Sequence, residues 1–290
     1  MPEGHTLHRL AGQIERAFGG RRVRVSSPQG RFSEAAALLD GARIEGAEAW
    51  GKHLFVEFAG ERFVHIHLGL IGALDLHDGL DSDAAVPPPV GQVRLRLVTV
   101  DDAATGQDDV AYADLRGAII CALVTPEQRE ATLAKSGPDP LRADADPDRA
   151  WDRIRRSNRP IGALLMDQSV LAGVGNVYRA EVLFRHRMHP MRPGKTLRRG
   201  QWQAIWDDLV ELMAEGVESG RIDTVRPEHT PEAMGRQPRR DDHGGEVYVY
   251  RRTGQPCLVC ERPVRTAALE GRNLFWCARC QPTFRSRAVG

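Results

Sequence analysis

Apolar residues near the start of the chain recur at helical spacing. Leu7, Leu10, Ala11, Ile14 and Phe18 fall at i, i+3, i+4, i+7 and i+11, one stripe of an amphipathic helix that Gly19-Gly20 ends. The period then changes. Val64, Ile66 and Leu68 alternate with His65 and His67, and Val93, Leu95 and Leu97 alternate with Arg94 and Arg96, which predicts strands with one buried face. Strand-like stretches run to about residue 124, separated by Gly- and Pro-containing breaks such as Pro87-Pro88-Pro89. No strand-then-helix alternation appears, so residues 1–124 are expected to form an antiparallel β-sandwich with one N-terminal helix. Residues 125–150 contain GPDPL and DADPD and suit a linker. Helical spacing returns beyond it: Ile161, Leu164, Leu165 and Gln168 to Leu171 make one apolar face, and Trp202, Ile205, Trp206, Leu209 and Met213 another. Residues 223–246 are polar and rich in Pro and Gly, as in a mobile loop. VYVYRR alternates like a strand and leads into a cysteine cluster. The expected fold class is α+β, with a β-sandwich domain (1–124), a linker (125–150), a helical domain (151–246) and a cysteine-bearing tail (247–290).

The 290 residues are long enough for one large domain or two ordinary ones. With 41% hydrophobic and 27% charged residues, the chain is neither disordered nor fibrous. No apolar run approaches the roughly 18 residues that cross a bilayer, and MPEGHTLHRL lacks the pattern of a secretory signal, so no membrane association and a cytoplasmic location are expected. The formal net charge of +1, read as one global number, argues against a nucleic-acid binder. Divided at residue 150, the picture changes. The first part holds 16 Lys/Arg and 23 Asp/Glu, a balance of −7, and the second 24 and 16, a balance of +8. Such asymmetry points to an anionic partner or to two differently charged solvated surfaces. The acidic excess lies largely in the stretches near 78–83 and 101–109. Only Lys52, Lys135 and Lys195 are lysines, so nearly all positive charge is arginine.

Cys257-Leu-Val-Cys260 and Cys277-Ala-Arg-Cys280 are two CxxC pairs separated by sixteen residues. Four thiolates in this arrangement match tetrahedral zinc coordination, and with no open ligand position the metal would be structural. Two disulfides are the alternative, which a cytosolic chain rarely keeps. Cys121, within the apolar run AIICALV, reads as a core residue. At the other end, removal of Met1 would expose the secondary amine of Pro2. An α-amino group has a reference pKa of about 7.7–8.0, so an appreciable fraction is nucleophilic near neutrality. Glu3 could move protons beside it. On this dipeptide alone, an ordinary chain start explains as much.

Six motifs stand in order along the chain: MPEGH at the start, WGK52HLF, IHLGLIG at 66–72, GPDPL at 137–141, LMDQSVLAGVGN176VY at 165–178, and GR272NLFWCxxC at 271–280. Together they resemble the formamidopyrimidine-DNA glycosylase / endonuclease VIII family of base-excision repair enzymes, from residue 2 to about 282. The PEG opening is nearer the endonuclease VIII branch. The resemblance implies a helix–two-turns–helix element in the helical domain, a C-terminal zinc ribbon with one structural Zn²⁺, and damaged double-stranded DNA as partner. It implies that Pro2 attacks C1′ of a flipped nucleoside, with Glu3 as acid/base and β and δ elimination following. Lys52 corresponds to a phosphate contact and electrostatic helper, or else to a solvent-facing strand residue. Leu70 corresponds to the side chain that fills the space of the extruded base, or else to a sheet-core leucine. Asn176 corresponds to a phosphate donor in a tight turn at a helix start, and read by itself is an N-cap. Arg272 corresponds to the arginine at the tip of the zinc hairpin, or else to a plain surface arginine.

The chain also departs from the family pattern. Position 6 is Thr where the family usually shows a second glutamate. Asp114-Leu115-Arg116-Gly117 matches the DNA-contacting arginine loop only in part, because no aromatic follows Arg116, which puts more weight on Leu70 and Ile71. The 223–246 stretch does not closely match the segment that caps oxidised guanine, so oxidised pyrimidines are the expected substrates. Expected overall is a monomeric bifunctional DNA glycosylase and abasic-site lyase, nucleoid-associated if bacterial. Two other classes compete. A noncatalytic zinc-ribbon nucleic-acid-binding protein would need none of Pro2, Glu3 and Lys52. A proline enzyme acting on small molecules would leave the cysteines and the charge asymmetry unexplained.

Overall fold

The computed structural model describes residues 2–100, 109–240 and 245–284, and the chain divides into two compact units, residues 1–135 and 136–290. The amphipathic stripe forms helix α1 (Gly4–Phe18), whose Leu7, Ile14 and Phe18 are buried. Eight strands follow: β1 (Val23–Ser26), β2 (Ile44–Trp50), β3 (His53–Phe58), β4 (Arg62–His67), β5 (Ala73–Leu80), β6 (Val93–Thr99), β7 (Val110–Arg116) and β8 (Ile120–Val124). They make two antiparallel four-stranded sheets, ordered β1-β6-β7-β5 and β2-β3-β4-β8. A short helix α2 (Ser33–Leu39) follows β1. One apolar cluster joins α1 to both sheets, through Leu54, Val56 and Phe58 of β3, Val64 and Ile66 of β4, and Leu95, Leu97, Ala113 and Leu115 of β6 and β7. This is the expected β-sandwich with its helix.

Two strands are buried on both faces, where the alternation predicted one. His65 is buried in β4 and Arg96 in β6. Arg96 tolerates this because its guanidinium lies 5.2 Å from the Tyr112 ring centre and 3.5 Å from the Asp114 carboxylate. Of the two acidic stretches, residues 101–108 lie outside the described residues, and Asp83 in the other pairs with Arg24.

The 125–150 stretch is not free chain. Thr125 opens helix α3 (Pro126–Leu133) with a capping box to Gln128, and Asp146 caps helix α4 (Pro147–Ile154), each with Pro at a position whose N–H would be orphaned anyway. Between them GPDPL is docked rather than loose. Gly137 donates to the Gln168 carbonyl (2.8 Å), Ala172 donates to the Pro138 carbonyl (3.0 Å), and Asp139 is fully buried. A Cβ at Gly137 would lie 2.4 Å from the Val170 carbonyl carbon, so this close backbone approach requires glycine.

The second unit adds α5 (Ile161–Leu164), α6 (Asn176–Arg185), α7 (Arg199–Ser219), α8 (Pro231–Met234) and the hairpin β9 (Arg265–Leu269)–β10 (Arg272–Trp276). Trp202, Leu209, Tyr178, Tyr250, Phe275, Cys257 and Cys277 share one core, so the helices and the cysteine-bearing tail are packed as one body. VYVYRR is not a strand. The fully buried Glu181 of α6 accepts the backbone N–H groups of Tyr248 (2.6 Å), Val249 (2.9 Å) and Tyr250 (2.8 Å), together with the Thr224 hydroxyl (2.7 Å). A carboxylate has replaced the neighbouring strand as acceptor. The 223–246 stretch is tied at both ends, by Thr224 N–H to the Glu246 carbonyl (2.8 Å) and Glu246 N–H to Asp223 (2.6 Å). Within it, residues 241–244 lie outside the described residues.

Replacing Glu181 by Ala strands four buried donors, so the unfolding free energy in urea should fall by about 4 kcal/mol. Glu181→Gln, which keeps one acceptor oxygen, should fall between. A loss below about 1 kcal/mol for the alanine would contradict the role given to this carboxylate.

Candidate active site and metal centre

Pro2 and Glu3 precede α1 directly. Glu3 is fully buried, and its carbonyl accepts the Thr6 N–H (2.9 Å) to close the first helical turn. The chain start is therefore held by the packing of α1. Burial, reinforced by the positive Arg9 and the neighbouring His8, lowers the His5 imidazole to about 4. Thr6 Oγ1 lies 3.3 Å from His5 Nε2, so the position without the second glutamate engages a neutral imidazole.

Lys52 stands in the two-residue turn closed by the Trp50–His53 pair, with Gly51 at φ +57°, and not on a strand. It is half-buried, and its charge helps lower the basicity of His67 after burial has done most. Helix α1 packs on β2 and β3, the strands that this turn joins.

The turn after β4 settles the surroundings of Leu70. The buried leucine is Leu68, whereas Leu70 is 48% and Ile71 86% exposed. Leu70 is not a sheet-core residue. Gly69 adopts φ +71°, and a Cβ there would meet Ile119 at 2.3 Å. Ile119 is itself 67% exposed, so three large apolar side chains are exposed on adjoining segments. Ile119 escaped the sequence reading because it lies in an apolar run that looks like core. Arg116 closes β7 with its guanidinium engaged by Asp75, Asp114 (3.0 Å) and the Val90 carbonyl (2.9 Å).

In the second unit, Gly175 is the N-cap of α6 and Asn176 its first helical residue, so the reading of Asn176 as N-cap is corrected. Asn176 is buried, and its Oδ1 accepts from Arg179. Arg179 also reaches the Gly162 carbonyl (3.2 Å) and the Asn273 carbonyl (2.9 Å), tying the first turn of α6 to α5 and to β10. The sequence reading missed Arg179, although its i, i+3 spacing from Asn176 was visible. Arg272 is exposed where the Glu270-Gly271 turn enters β10. Glu270 pairs with Arg159 (2.9 Å), which also holds Asp167 (2.7 Å).

The four cysteine sulfurs all lie within 4.8 Å of one another. Cys257 Sγ is 3.8 Å from Cys280 Sγ, and Cys260 Sγ is 3.4 Å from Cys277 Sγ. A disulfide needs about 2.05 Å, whereas the edge of a tetrahedron with 2.3 Å metal–sulfur bonds is about 3.8 Å. The set therefore fits one zinc ion in a closed structural site. The buried Gln281 fixes the second knuckle, accepting Cys277 N–H (2.9 Å) and donating to the Met188 carbonyl (2.9 Å). Cys121 stands on β8, and burial pushes its thiol up to about 12, an unreactive state. Thus Pro2, Glu3, Lys52, Leu70 and Arg116 belong to the first unit, and Asn176, Arg272 and the four cysteines to the second.

Two outcomes are expected. The purified chain should carry one zinc per molecule, and stripping it or substituting Cys277→Ala should lower the thermal midpoint, because Cys257 and Cys277 are core residues. An unchanged melting profile would contradict a structural metal. Burial also lowers His5, His53 and His65 to about 4, from an ordinary 6.5. Between these values the unfolded chain binds protons that the native chain does not. Stability should be full above about pH 6.5 and fall as pH drops towards 4, by up to about 1.4 kcal/mol per pH unit for each imidazole. Urea midpoints across this range should show a shallower slope in His65→Gln, and an unaltered slope would contradict the assignment.

Comparison with known proteins agrees with this geometry. Residues 1–119 match the Formamidopyrimidine-DNA glycosylase N-terminal domain, residues 136–226 the Formamidopyrimidine-DNA glycosylase H2TH domain, and residues 254–283 the Zinc finger found in FPG and IleRS. Endonuclease 8 1 of Mycobacterium tuberculosis (strain ATCC 25618 / H37Rv) is 50% identical over 284 residues, 97% of this chain and 100% of that protein. Formamidopyrimidine-DNA glycosylase of Chloroflexus aurantiacus is 30% identical over 296 residues, covering 98% and 97%. Among solved structures, a Lactococcus lactis Fpg (MutM) in complex with N7-benzyl-Fapy-dG-containing DNA superposes with a TM-score of 0.75 at 22% identity, covering 97% of this chain and 100% of that one. With sandwich, helical unit and four-cysteine site all in place, the chain belongs to the formamidopyrimidine-DNA glycosylase / endonuclease VIII family of DNA glycosylases.

Proposed function

We propose that the protein excises oxidised bases, pyrimidines preferred, from double-stranded DNA and then cleaves the abasic site. The observation that carries this is Pro2-Glu3 held by a buried helix: a secondary amine and a carboxylate made neighbours by the chain itself. Once Met1 is removed, the Pro2 nitrogen attacks C1′ and the bond to the base breaks. Glu3 moves the proton to the ring oxygen as the sugar opens, leaving an iminium between Pro2 and C1′. The iminium acidifies the C2′ protons, so their loss expels the 3′ phosphate by β elimination, and a second elimination expels the 5′ phosphate. Hydrolysis of the iminium frees the enzyme. The preference for pyrimidines is supported by the PEG opening and by the 50% identity to a protein named Endonuclease 8 1.

The remaining residues take supporting roles. The Lys52 ammonium contacts a phosphate and steadies developing negative charge. Leu70 and Ile71, exposed on a tight turn, fill the space left by the extruded base. Asn176 and the backbone at the start of α6 receive a phosphate, and Arg272 holds another from the hairpin tip. Arg116 acts as a brace, since reaching DNA would cost it two carboxylates. The zinc ion holds the hairpin and takes no chemical step.

Single-turnover assays on matched duplexes carrying thymine glycol, dihydrouracil, 8-oxoguanine or an abasic site test this reading. The two pyrimidine lesions should be processed faster than 8-oxoguanine. Glu3→Gln should slow base excision by about 100-fold or more, and Pro2→Gly should sharply reduce abasic-site cleavage. Full activity in either variant would refute the mechanism. DNA affinity should fall steeply with salt as phosphate contacts release counterions, and salt-independent binding would remove the electrostatic part.

A further inference from the structure

Three histidines of the sandwich, His53, His65 and His67, have no place in the chemistry above. The register pairs Leu54 with Ile66 and Phe55 with His65, so the three imidazoles share the face of β3 and β4 opposite the core residues Leu54, Val56 and Ile66. His53 Nδ1 lies 2.8 Å from His65 Nε2, and the His53 ring stands edge-on to His67 at 5.2 Å between centroids. His65 stacks on Phe55 at 4.6 Å. The rings of His65 and His67 therefore both pack against His53, and burial favours the neutral form of all three.

One of these rings touches the exposed turn. His67 Nδ1 accepts the Gly69 N–H at 3.0 Å, so the single proton of the neutral ring is on Nε2. A side chain that accepts the N–H two residues on fixes the entry to a turn, as Asn and Asp do in Asx-turns. Here the turn is tightened further by Gly72 N–H to the Leu68 carbonyl (3.1 Å) and by Ile119 against Gly69. It presents Leu70 and Ile71.

We propose that His67 is a positioning residue for base extrusion: its imidazole, packed edge-on against His53, fixes the Gly69 turn that presents Leu70 and Ile71 to the duplex. This rests on the reading of Leu70 as the side chain that fills the vacated space. A fixed turn inserts its apolar side chains without first being ordered, so the benefit falls on substrates whose base must leave the stack.

The test compares two rates in the same protein. One is single-turnover excision of dihydrouracil from a duplex, which requires extrusion. The other is cleavage of a single-stranded oligonucleotide carrying an abasic site, which requires none. The duplex-to-single-strand ratio is independent of the fraction of folded enzyme, so a loss of stability cannot imitate the effect. His67→Ala should lower the ratio about tenfold, and His67→Asn, which restores an acceptor for the Gly69 N–H, should recover most of it. An unchanged ratio in His67→Ala, or an equal loss in His67→Asn, would overturn the proposal. Leu70→Ala separates it from the reading beneath: if that variant keeps the wild-type ratio, the role given to Leu70 itself is wrong.

Discussion

The proposed chemistry depends on an ordered chain start. Terminal residues ordinarily fray, because few contacts offset the entropy of fixing them. Here the first helix begins at Gly4, and its buried Leu7, Ile14 and Phe18 lock it into the core shared by both sheets. Glu3 is thereby drawn to full burial, and Pro2 beside it is half-buried. A nucleophile borne on the terminal nitrogen can be positioned only this way. An amphipathic stripe that looks merely structural is thus what the proposed covalent mechanism rests on.

The second unit obtains comparable rigidity from buried polar groups. Glu181 gathers three backbone donors and a hydroxyl, Arg179 ties α6 to α5 and β10, and Gln281 pins the second cysteine knuckle. Each of these three side chains is itself buried and hydrogen-bonded, which favours a single arrangement of the polar groups. Together with the four-cysteine site they hold Asn176 at a helix start and Arg272 at a hairpin tip without calling on loops of irregular length.

What was legible in the sequence was what short-range periodicity and spacing encode. The stripe from Leu7 to Phe18, the sandwich strands and the two CxxC pairs could be read because neighbours along the chain determine them. Two misreadings share a different cause: a contact far along the chain took over a local preference. VYVY alternates like a strand, but Glu181 supplies its acceptors, from 67 to 69 residues away along the chain. GPDPL resembles a linker until Gly137 docks on Gln168 and Val170. Arg116 is engaged by Asp75 and Asp114, and the exposure of Ile119 is set by the fold, neither of which the local sequence displays. The net charge of +1 misled by cancellation, since the basic excess lies beyond residue 150, in the region that carries Asn176 and Arg272.

The central claim, that the terminal nitrogen of Pro2 is the nucleophile, is tested most directly by locating the covalent bond. The enzyme is incubated with an abasic-site duplex and borohydride, the adduct is digested, and its peptides are sequenced by mass spectrometry. The account predicts that the sugar remnant is carried on the α-nitrogen of Pro2, in a peptide lacking Met1. A remnant on Lys52 or any other lysine, or no adduct at all, would contradict it.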